Sequence, residues 1–191
     1  MAATPSTMLP LGTQAPDFSL LNIDGRTLGL RDFSEADALL VMFICNHCPF
    51  VIHIREELAA LGDDYQSRNV AVIAINSNDI EKYPADAFDK MKEEASSAGY
   101  NFPYLLDEQQ TVAHAYRAAC TPDFYLFDKG RALVYRGQLD ASRPGNGVPV
   151  TGQDLREALN QLLVGKEISA DQVPSIGCNI KWKPGNAPDY F

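Results

Sequence analysis

The chain has 191 residues, of which 46% are hydrophobic and 21% charged, and its formal net charge at pH 7 is −9. This length suits one domain with extensions, and the composition is ordinary for a globular protein. The acidic excess disfavours nucleic acid and anionic membrane as partners, and no apolar stretch approaches the roughly 18–20 residues of a membrane span.

The N-terminal segment, residues 1–16, contains three prolines among small polar residues and predicts an irregular lead-in. It lacks the basic and continuous apolar segments of a signal peptide, so we expect a cytoplasmic protein, in which structural disulfides are rare. Two short strands are predicted next, over 17–21 and 26–28, joined by a turn at Asp24-Gly25.

The segment 39–54 is the most informative part of the chain. Its continuously apolar run, Leu39 to Ile44, predicts a strand buried on both faces. The run leads into a Cys-x-x-Cys pair, Cys45 and Cys48, and Pro49 then opens a helical pattern that continues to about residue 67. Two cysteines delivered by a buried strand to the start of a helix are typical of a redox-active dithiol.

The later elements alternate between strands and helices. We predict strands at 70–75, 102–106, 123–127 and 132–137, and helices at 84–98, 111–118 and 152–164. This order predicts an α/β fold of three layers, whose mixed sheet is parallel except for hairpin strands. Residues after 165 are rich in Pro and Gly and show little periodicity.

Several of these features together resemble the thioredoxin-like superfamily: the Cys-x-x-Cys pair after a buried strand, Thr121-Pro122 before a hairpin, and a final helix. The opening, APDFSL followed by DGRTLGLRDF, resembles the redoxin branch that contains alkyl hydroperoxide reductase C and thiol-specific antioxidant proteins. The resemblance covers roughly residues 13–164. It implies a thioredoxin-like domain over 1–164 with an N-terminal β-hairpin extension, and a C-terminal extension, 165–191, that packs on the same domain.

The dithiol is the predicted catalytic group. Helix N-termini favour thiolates, so we expect the Cys45 thiolate to be favoured and Cys45 to be the nucleophile, with Cys48 as the resolving thiol. These are the roles of the matching positions in thioredoxins. A cationic His47 would stabilise the reduced form and make the disulfide more oxidising. The alternative is two structural cysteines beside an exposed histidine.

The buried Asp that thioredoxins carry six residues before the first cysteine is replaced here by Leu39. The usual proton acceptor for the buried thiol is therefore missing. His47, Glu56 or a residue of the C-terminal extension could replace it, and the sequence does not choose among them.

Compared with peroxiredoxins, Cys48-Pro49 resembles their catalytic Cys-Pro, whereas the Pro that they place seven residues earlier is Val41 here. Arg143 is a candidate for the arginine that stabilises peroxide in that family, and its alternative role is to brace a turn. The peroxidase pattern is thus incomplete.

Thr121-Pro122 is the predicted substrate-binding loop. The resemblance implies a cis peptide here, in a loop that faces the Cys-x-x-Cys pair, with Thr121 offering backbone groups to an extended substrate. The alternative is an ordinary trans turn before a strand.

Two further cysteines are auxiliary candidates. Cys120 lies two residues before Pro122 and is expected at or beneath the active face, whereas Cys178 lies in the C-terminal extension. If that extension folds back, Cys178 could be a second resolving thiol or could pair with Cys120; the alternative is two inert buried thiols. A metal site built from the four cysteines with His47 or His53 is weakly indicated, because no second close pair exists.

The sequence therefore predicts a thiol–disulfide oxidoreductase, with a thiol-dependent peroxidase and a metal-binding redoxin-fold protein as alternatives. The expected partners are a disulfide-containing protein, or a small thiol or peroxide, and a reducing dithiol. Neither a cofactor nor a resident metal is implied, nucleic acid and membrane are not expected, and the resemblance suggests a homodimer.

Overall fold

The structure is a computed structural model that describes residues 3–190, so residues 1, 2 and 191 of the predicted lead-in and extension lie outside the described residues. Its strands in chain order are β1 (Ala3–Pro5), β2 (Ser19–Asn22), β3 (Thr27–Gly29), β4 (Ala38–Phe43), β5 (Val70–Asn76), β6 (Tyr104–Leu106), β7 (Cys120–Thr121), β8 (Asp123–Phe127), β9 (Leu133–Gly137) and β10 (Ile176–Asn179). Its α-helices are α1 (Pro49–Gln66), α2 (Phe88–Ala98), α3 (Thr111–Ala115) and α4 (Gln153–Leu163). None of the described helices is long and apolar enough to cross a membrane.

Seven strands form the central sheet, in the order β3-β2-β6-β5-β4-β8-β9. The neighbours β4, β5 and β6 run parallel, and the other neighbours are antiparallel. Helices pack on both faces of this sheet. The predicted three-layer α/β fold with a central mixed sheet is confirmed.

Strand β4 lies at the centre of the core, and all six of its residues are buried. Leu40 and Met42 face the side covered by α1, α2 and α4, whereas Leu39 and Val41 face the side covered by α3. Burying a side chain of this size contributes roughly 1.5–3 kcal/mol. The strand is therefore fixed on both faces, and so is the point at which it delivers the chain to α1.

Two predicted helices are shorter than the sequence suggested. The predicted helix over 84–98 is wrong at its start, because Ala87 is extended (ψ 154°) and separates a short 3-10 turn, Pro84–Asp86, from α2. The predicted helix over 111–118 stops at Ala115, because Arg117 adopts a left-handed conformation with φ 51°. The first break matters for the site, since it turns the Asp86 side chain inward.

The lead-in and the C-terminal extension are not irregular throughout, and that prediction is wrong for β1 and β10. These strands form a separate antiparallel sheet in the order β1-β10-β7. Each is short, and its partners lie far away in the sequence, so the period of two that identifies a strand is not visible locally. Pro5 fits because β1 is an edge strand, where a missing N–H is tolerated.

Candidate active site

The connection from β4 to α1 carries the Cys-x-x-Cys pair. Cys48 is the residue that caps α1, and its carbonyl accepts a hydrogen bond from the Ile52 N–H at 2.9 Å. Pro49 occupies the first helical position, where a missing N–H costs nothing. Both cysteines are free thiols, Cys45 being 2% exposed and Cys48 fully buried. The dithiol therefore lies just beneath the surface.

Several donors converge on the Cys48 sulfur and lower its pKa well below the ordinary thiol range. The largest contribution is a hydrogen bond from the Cys178 thiol, followed by one from the Cys45 thiol, with Thr121 and the Val51 N–H adding to them. One contact favours the protonated form instead: a Cys48 thiol donates to the Thr121 carbonyl oxygen at 3.2 Å. The donors outweigh this contact and the opposing effect of burial, so the lower pKa of the two thiols belongs to Cys48.

Cys45 behaves in the opposite way. Its pKa is raised, first because its proton is held by the Cys48 sulfur, then by burial and by the nearby Asp86 carboxylate. The expectation that helix placement favours a Cys45 thiolate is therefore wrong for the reduced protein. The physical reason is position, because Cys48 rather than Cys45 stands at the helix N-terminus.

His47 projects beside the dithiol and contacts a buried carboxylate. Its Nδ1 lies 2.7 Å from Asp86 Oδ2, a close approach that is poorly aligned for a hydrogen bond and acts as an ion pair. Asp86 raises the pKa of His47. The imidazole also stacks on the Tyr83 ring at a centroid separation of 5.6 Å. The carboxylate thus favours the protonated form of an imidazole that lies close to the Cys45 sulfur.

Asp86 is the site residue that the sequence did not reveal. Its carboxylate accepts hydrogen bonds from the Asn46 N–H and from Asn78 Nδ2, both at 2.8 Å, and the side chain is fully buried. It lies close to the dithiol, since one of its carboxylate oxygens is within 4.8 Å of the Cys45 sulfur. The local pattern around it is helical, and no sequence signal separates Asp86 from the other acidic residues of that helix.

Thr121 contacts both thiols, and the Thr121–Pro122 peptide is cis, as predicted. Its Oγ1 lies 3.4 Å from Cys45 Sγ, and its carbonyl lies against Cys48. In the small sheet its backbone lies opposite Cys178 of β10. Thr121 is therefore engaged by the protein's own strand, and its role towards a substrate stays a prediction.

The two auxiliary cysteines have different surroundings. Cys178 contacts Cys48, whereas the Cys120 thiol donates to the Pro122 carbonyl at 3.7 Å. The register sets Asn179, not Cys178, opposite Cys120, which separates the two thiols. Burial raises the pKa of Cys120 well above the ordinary value. The register does not favour the predicted alternative of a Cys120–Cys178 pair, and the burial of Cys120 agrees with the alternative of an inert thiol, which stays a prediction.

Arg143 braces the loop after β9. Its guanidinium donates to the carbonyls of Asp140 and Ser142 at 2.6 and 2.7 Å, and to the Gln138 side chain at 2.5 Å. These bonds correspond to the turn-bracing role that the sequence offered as the alternative to peroxide binding.

Cys45, His47 and Asp86 each place one potential ligand atom within 4.8 Å of the others. Structural zinc sites use four ligands, so this set is one short. The predicted convergence of four cysteines is not formed among the described residues, and His53 bonds Ser142 Oγ at 2.7 Å instead. The Asp86 carboxylate instead contacts the His47 ring and accepts hydrogen bonds from the Asn46 N–H and from Asn78 Nδ2.

Comparison with known proteins places this site in a family. Residues 11–136 match the model of the AhpC/TSA family. The thiol-disulfide oxidoreductase ResA of Geobacillus thermodenitrificans (strain NG80-2) is 29% identical over 66% of this chain and 68% of its own length. The putative peroxiredoxin bcp of Helicobacter pylori (strain J99) is 24% identical over 58% of this chain and 67% of its own length.

Solved structures extend the likeness over nearly the whole chain. An uncharacterized conserved protein from Geobacillus kaustophilus is 56% identical, with a TM-score of 0.95, and the match covers 97% of this chain and 98% of that one. A hypothetical protein from Sinorhizobium meliloti 1021 is 52% identical, with a TM-score of 0.94, covering 95% and 100%. The thioredoxin domain of a Bacteroides vulgatus thiol-disulfide oxidoreductase, 16% identical with a TM-score of 0.59 over 68% and 89%, shares the fold.

Proposed function

This chain belongs to the AhpC/TSA family, and from that premise we propose that it is a thiol–disulfide oxidoreductase acting through Cys45 and Cys48. The relatives named ResA and bcp are both oxidoreductases, and thiol–disulfide exchange is the activity of the first. The observation that carries the proposal is the placement of the dithiol at the start of α1 and against the cis-proline loop, with Thr121 Oγ1 3.4 Å from Cys45 Sγ and the Thr121 carbonyl 3.2 Å from Cys48 Sγ. An inequality between the two thiols accompanies it, because the pKa of Cys48 is lowered and that of Cys45 is raised.

That inequality assigns the roles. In a Cys45–Cys48 disulfide the better leaving group is the thiol with the lower pKa, so an incoming thiolate attacks Cys45 and expels Cys48. By reversal of the same step, mixed disulfides with substrate form on Cys45. The stabilised thiolate also makes the dithiol state favourable, which gives an oxidising disulfide.

In the reductive direction, the protein transfers two electrons from its dithiol to a substrate disulfide. Cys45 passes its proton to Cys48 and attacks one sulfur of a substrate disulfide, whose other sulfur leaves and takes a proton. Cys48 then gives up its proton and attacks Cys45 Sγ, which releases the second substrate thiol and leaves a Cys45–Cys48 disulfide. Two thiols of a reducing dithiol partner restore the protein. His47, held by Asp86, provides a positive charge beside these thiolates.

The test uses two variants with glutathione disulfide as the probe. We expect Cys48→Ser to accumulate a glutathione adduct on Cys45, and Cys45→Ser to lose turnover with its fold intact by circular dichroism. Cys120→Ala is the matched control, because its thiol is buried nearby and bonds elsewhere. Retained disulfide reductase activity in Cys45→Ser would overturn the proposal.

A thiol peroxidase remains the second candidate, favoured by the Cys48 thiolate at a helix start followed by Pro49. In that reaction the thiolate takes one peroxide oxygen as a sulfenic acid and Cys45 resolves it, releasing water. Hydrogen peroxide consumption by the reduced protein decides the matter: a rate no better than a free thiol excludes it. A cytoplasmic location and a homodimer stay predictions.

A further inference from the structure

Strand β10 brings one residue of the C-terminal extension, Cys178, to the active site. The strand lies between β1 and β7, and hydrogen bonds from Ser6 N to Ser175 O (2.8 Å) and from Ile180 N to Ala119 O (3.0 Å) hold its two ends. The position of Cys178 is therefore fixed from both sides.

The neighbouring Gly177 allows β10 to approach the cis-proline loop. A Cβ at this position would collide with the backbone carbonyl of Thr121, so a larger residue could not occupy it without moving the strand. This close approach sets Cys178 directly opposite Thr121, whose carbonyl also contacts Cys48.

The Cys178 side chain lies against Cys48, because Cys178 is paired with Thr121 and the Thr121 carbonyl lies 3.2 Å from the Cys48 sulfur. Both cysteines are buried in the same cluster as Cys45, and Cys178 is only 3% exposed. Cys48 therefore stands between two thiols, one from its own motif and one from β10. Bulk oxidants reach Cys178 poorly, which leaves Cys48 as its redox partner.

We propose that Cys178 is a third redox-active cysteine that exchanges with the Cys45–Cys48 disulfide to form a Cys48–Cys178 disulfide; this rests on the proposed dithiol function. An external thiolate is directed to Cys45 by the leaving group, but Cys178 is held beside Cys48, so its position selects that sulfur. Deprotonated Cys178 attacks Cys48 Sγ, the Cys48–Cys178 bond forms, and the Cys45–Cys48 bond breaks. Cys45 leaves as a thiolate and takes up the proton that Cys178 lost. The step is an exchange without net oxidation, and it needs no further reagent.

This exchange transfers the disulfide from the Cys45–Cys48 pair to the Cys48–Cys178 pair. Cys45, the thiol assigned to substrate, is restored as a thiol while the protein still holds one disulfide. The same bond ties β10 covalently to the start of α1, so oxidation anchors the extension over the site.

The test is peptide mapping of the full chain without reduction. The reduced protein is treated with one equivalent of diamide, quenched in acid, alkylated and digested with trypsin. Cys45 and Cys48 lie in the tryptic peptide 32–55, Cys178 in 167–181, and Cys120 in 118–129. A Cys45–Cys48 disulfide leaves 32–55 unlinked and 2 Da lighter, whereas the proposed bond links 32–55 to 167–181.

We expect both products from the unmodified protein, with fragmentation assigning the linkage to Cys48. Cys178→Ser should lose the linked pair and keep the internal disulfide, and Cys120→Ala should change neither. Full alkylation of 167–181 in the unmodified protein, or a linkage to Cys45, would overturn the proposal. Turnover by Cys45→Ser would instead overturn the proposed function, so the two failures are distinguishable.

Discussion

The two sides of the cis-proline loop each hold a fully buried thiol, Cys48 at the start of α1 and Cys120 on β7. Their pKa values nevertheless move in opposite directions, downward for Cys48 and upward for Cys120. Hydrogen-bond donors surround the first sulfur, whereas burial dominates at the second, with the Asp123 charge adding to it. The comparison indicates that donors at the sulfur can outweigh burial and set the direction in which the pKa of a buried thiol moves.

A buried carboxylate accompanies each thiol, and the two carboxylates accept hydrogen bonds from different kinds of donor. Asp86, on the α1 side, accepts from two amide donors and faces the His47 ring. Asp123, on the β7 side, accepts from the hydroxyls of Ser6 and Tyr125 at 2.9 and 2.8 Å, and burial raises its pKa to about 6. Four substitutions test this contrast.

The largest effect is expected at Cys48. Cys48→Ser removes the stabilised thiolate and the resolving step, so steady-state reduction of glutathione disulfide should fall on the order of a thousand-fold or more. Insulin reduction and glutathione disulfide turnover measure this loss. Activity within ten-fold of the unmodified protein would show that the low-pKa sulfur is dispensable.

Asp123 predicts a pH dependence of stability. Because the folded-state pKa is raised from 3.8 to about 6, folding favours the neutral acid. The free energy of unfolding should therefore be highest below about pH 4 and fall by up to about 3 kcal/mol as pH rises through about 6. Urea unfolding at pH 4 to 7 measures the slope. Asp123→Asn should flatten it, and an unchanged slope would contradict the assignment.

Asp86→Asn tests the other carboxylate. The new amide nitrogen would face the Asn78 donor, and we expect a loss of roughly 2 kcal/mol in the free energy of unfolding. The pKa of His47 should fall, because Asp86 raises it. In the unmodified protein this ion pair stabilises fully below about pH 6.5 and is lost as pH rises through the raised pKa.

NMR titration of the His47 ring reports that pKa directly, and an unshifted titration in Asp86→Asn would argue against the ion pair. The exposed Asp24, paired with Arg26, is the matched control. Asp24→Asn should leave both the unfolding curve and the His47 titration unchanged, because exposed ion pairs contribute little.

The smallest effect is expected at Cys120. Cys120→Ala leaves a small cavity, which costs about 1 kcal/mol or less, and disulfide turnover should not change. Parallel unfolding and activity assays check both statements. A large loss of turnover would mean that the contrast between the two thiols is mistaken.

The parts of the site that could be predicted are the local ones. Leu39 to Ile44 is an uninterrupted apolar run, and the Cys-x-x-Cys pair and Pro49 follow it directly, so strand, dithiol and helix start could be placed from neighbours in sequence. The cis peptide at Thr121-Pro122 came from the resemblance to thioredoxins.

The parts that could not be predicted depend on distant pairing. Asp86 reaches the site because the extended Ala87 interrupts a segment whose sequence predicts a continuous helix. The hydrogen-bond donors to the Asp86 carboxylate come from Asn46 and Asn78, which both lie outside that segment. Cys178 reaches Cys48 through a register between strands more than 50 residues apart. The Cys48 thiolate in turn depends on Cys178, so the sequence assigned it to the wrong sulfur.

The small sheet, β1-β10-β7, also determines when during translation the surroundings of Cys48 can be completed. Its middle strand holds Cys178, which lies 130 positions after Cys48 in the chain. A ribosome adding roughly 5–20 residues per second needs on the order of ten seconds to make that interval. The growing polypeptide therefore carries Cys45 and Cys48 before their third neighbour exists, and the donors that stabilise the Cys48 thiolate are complete only when translation has passed β10.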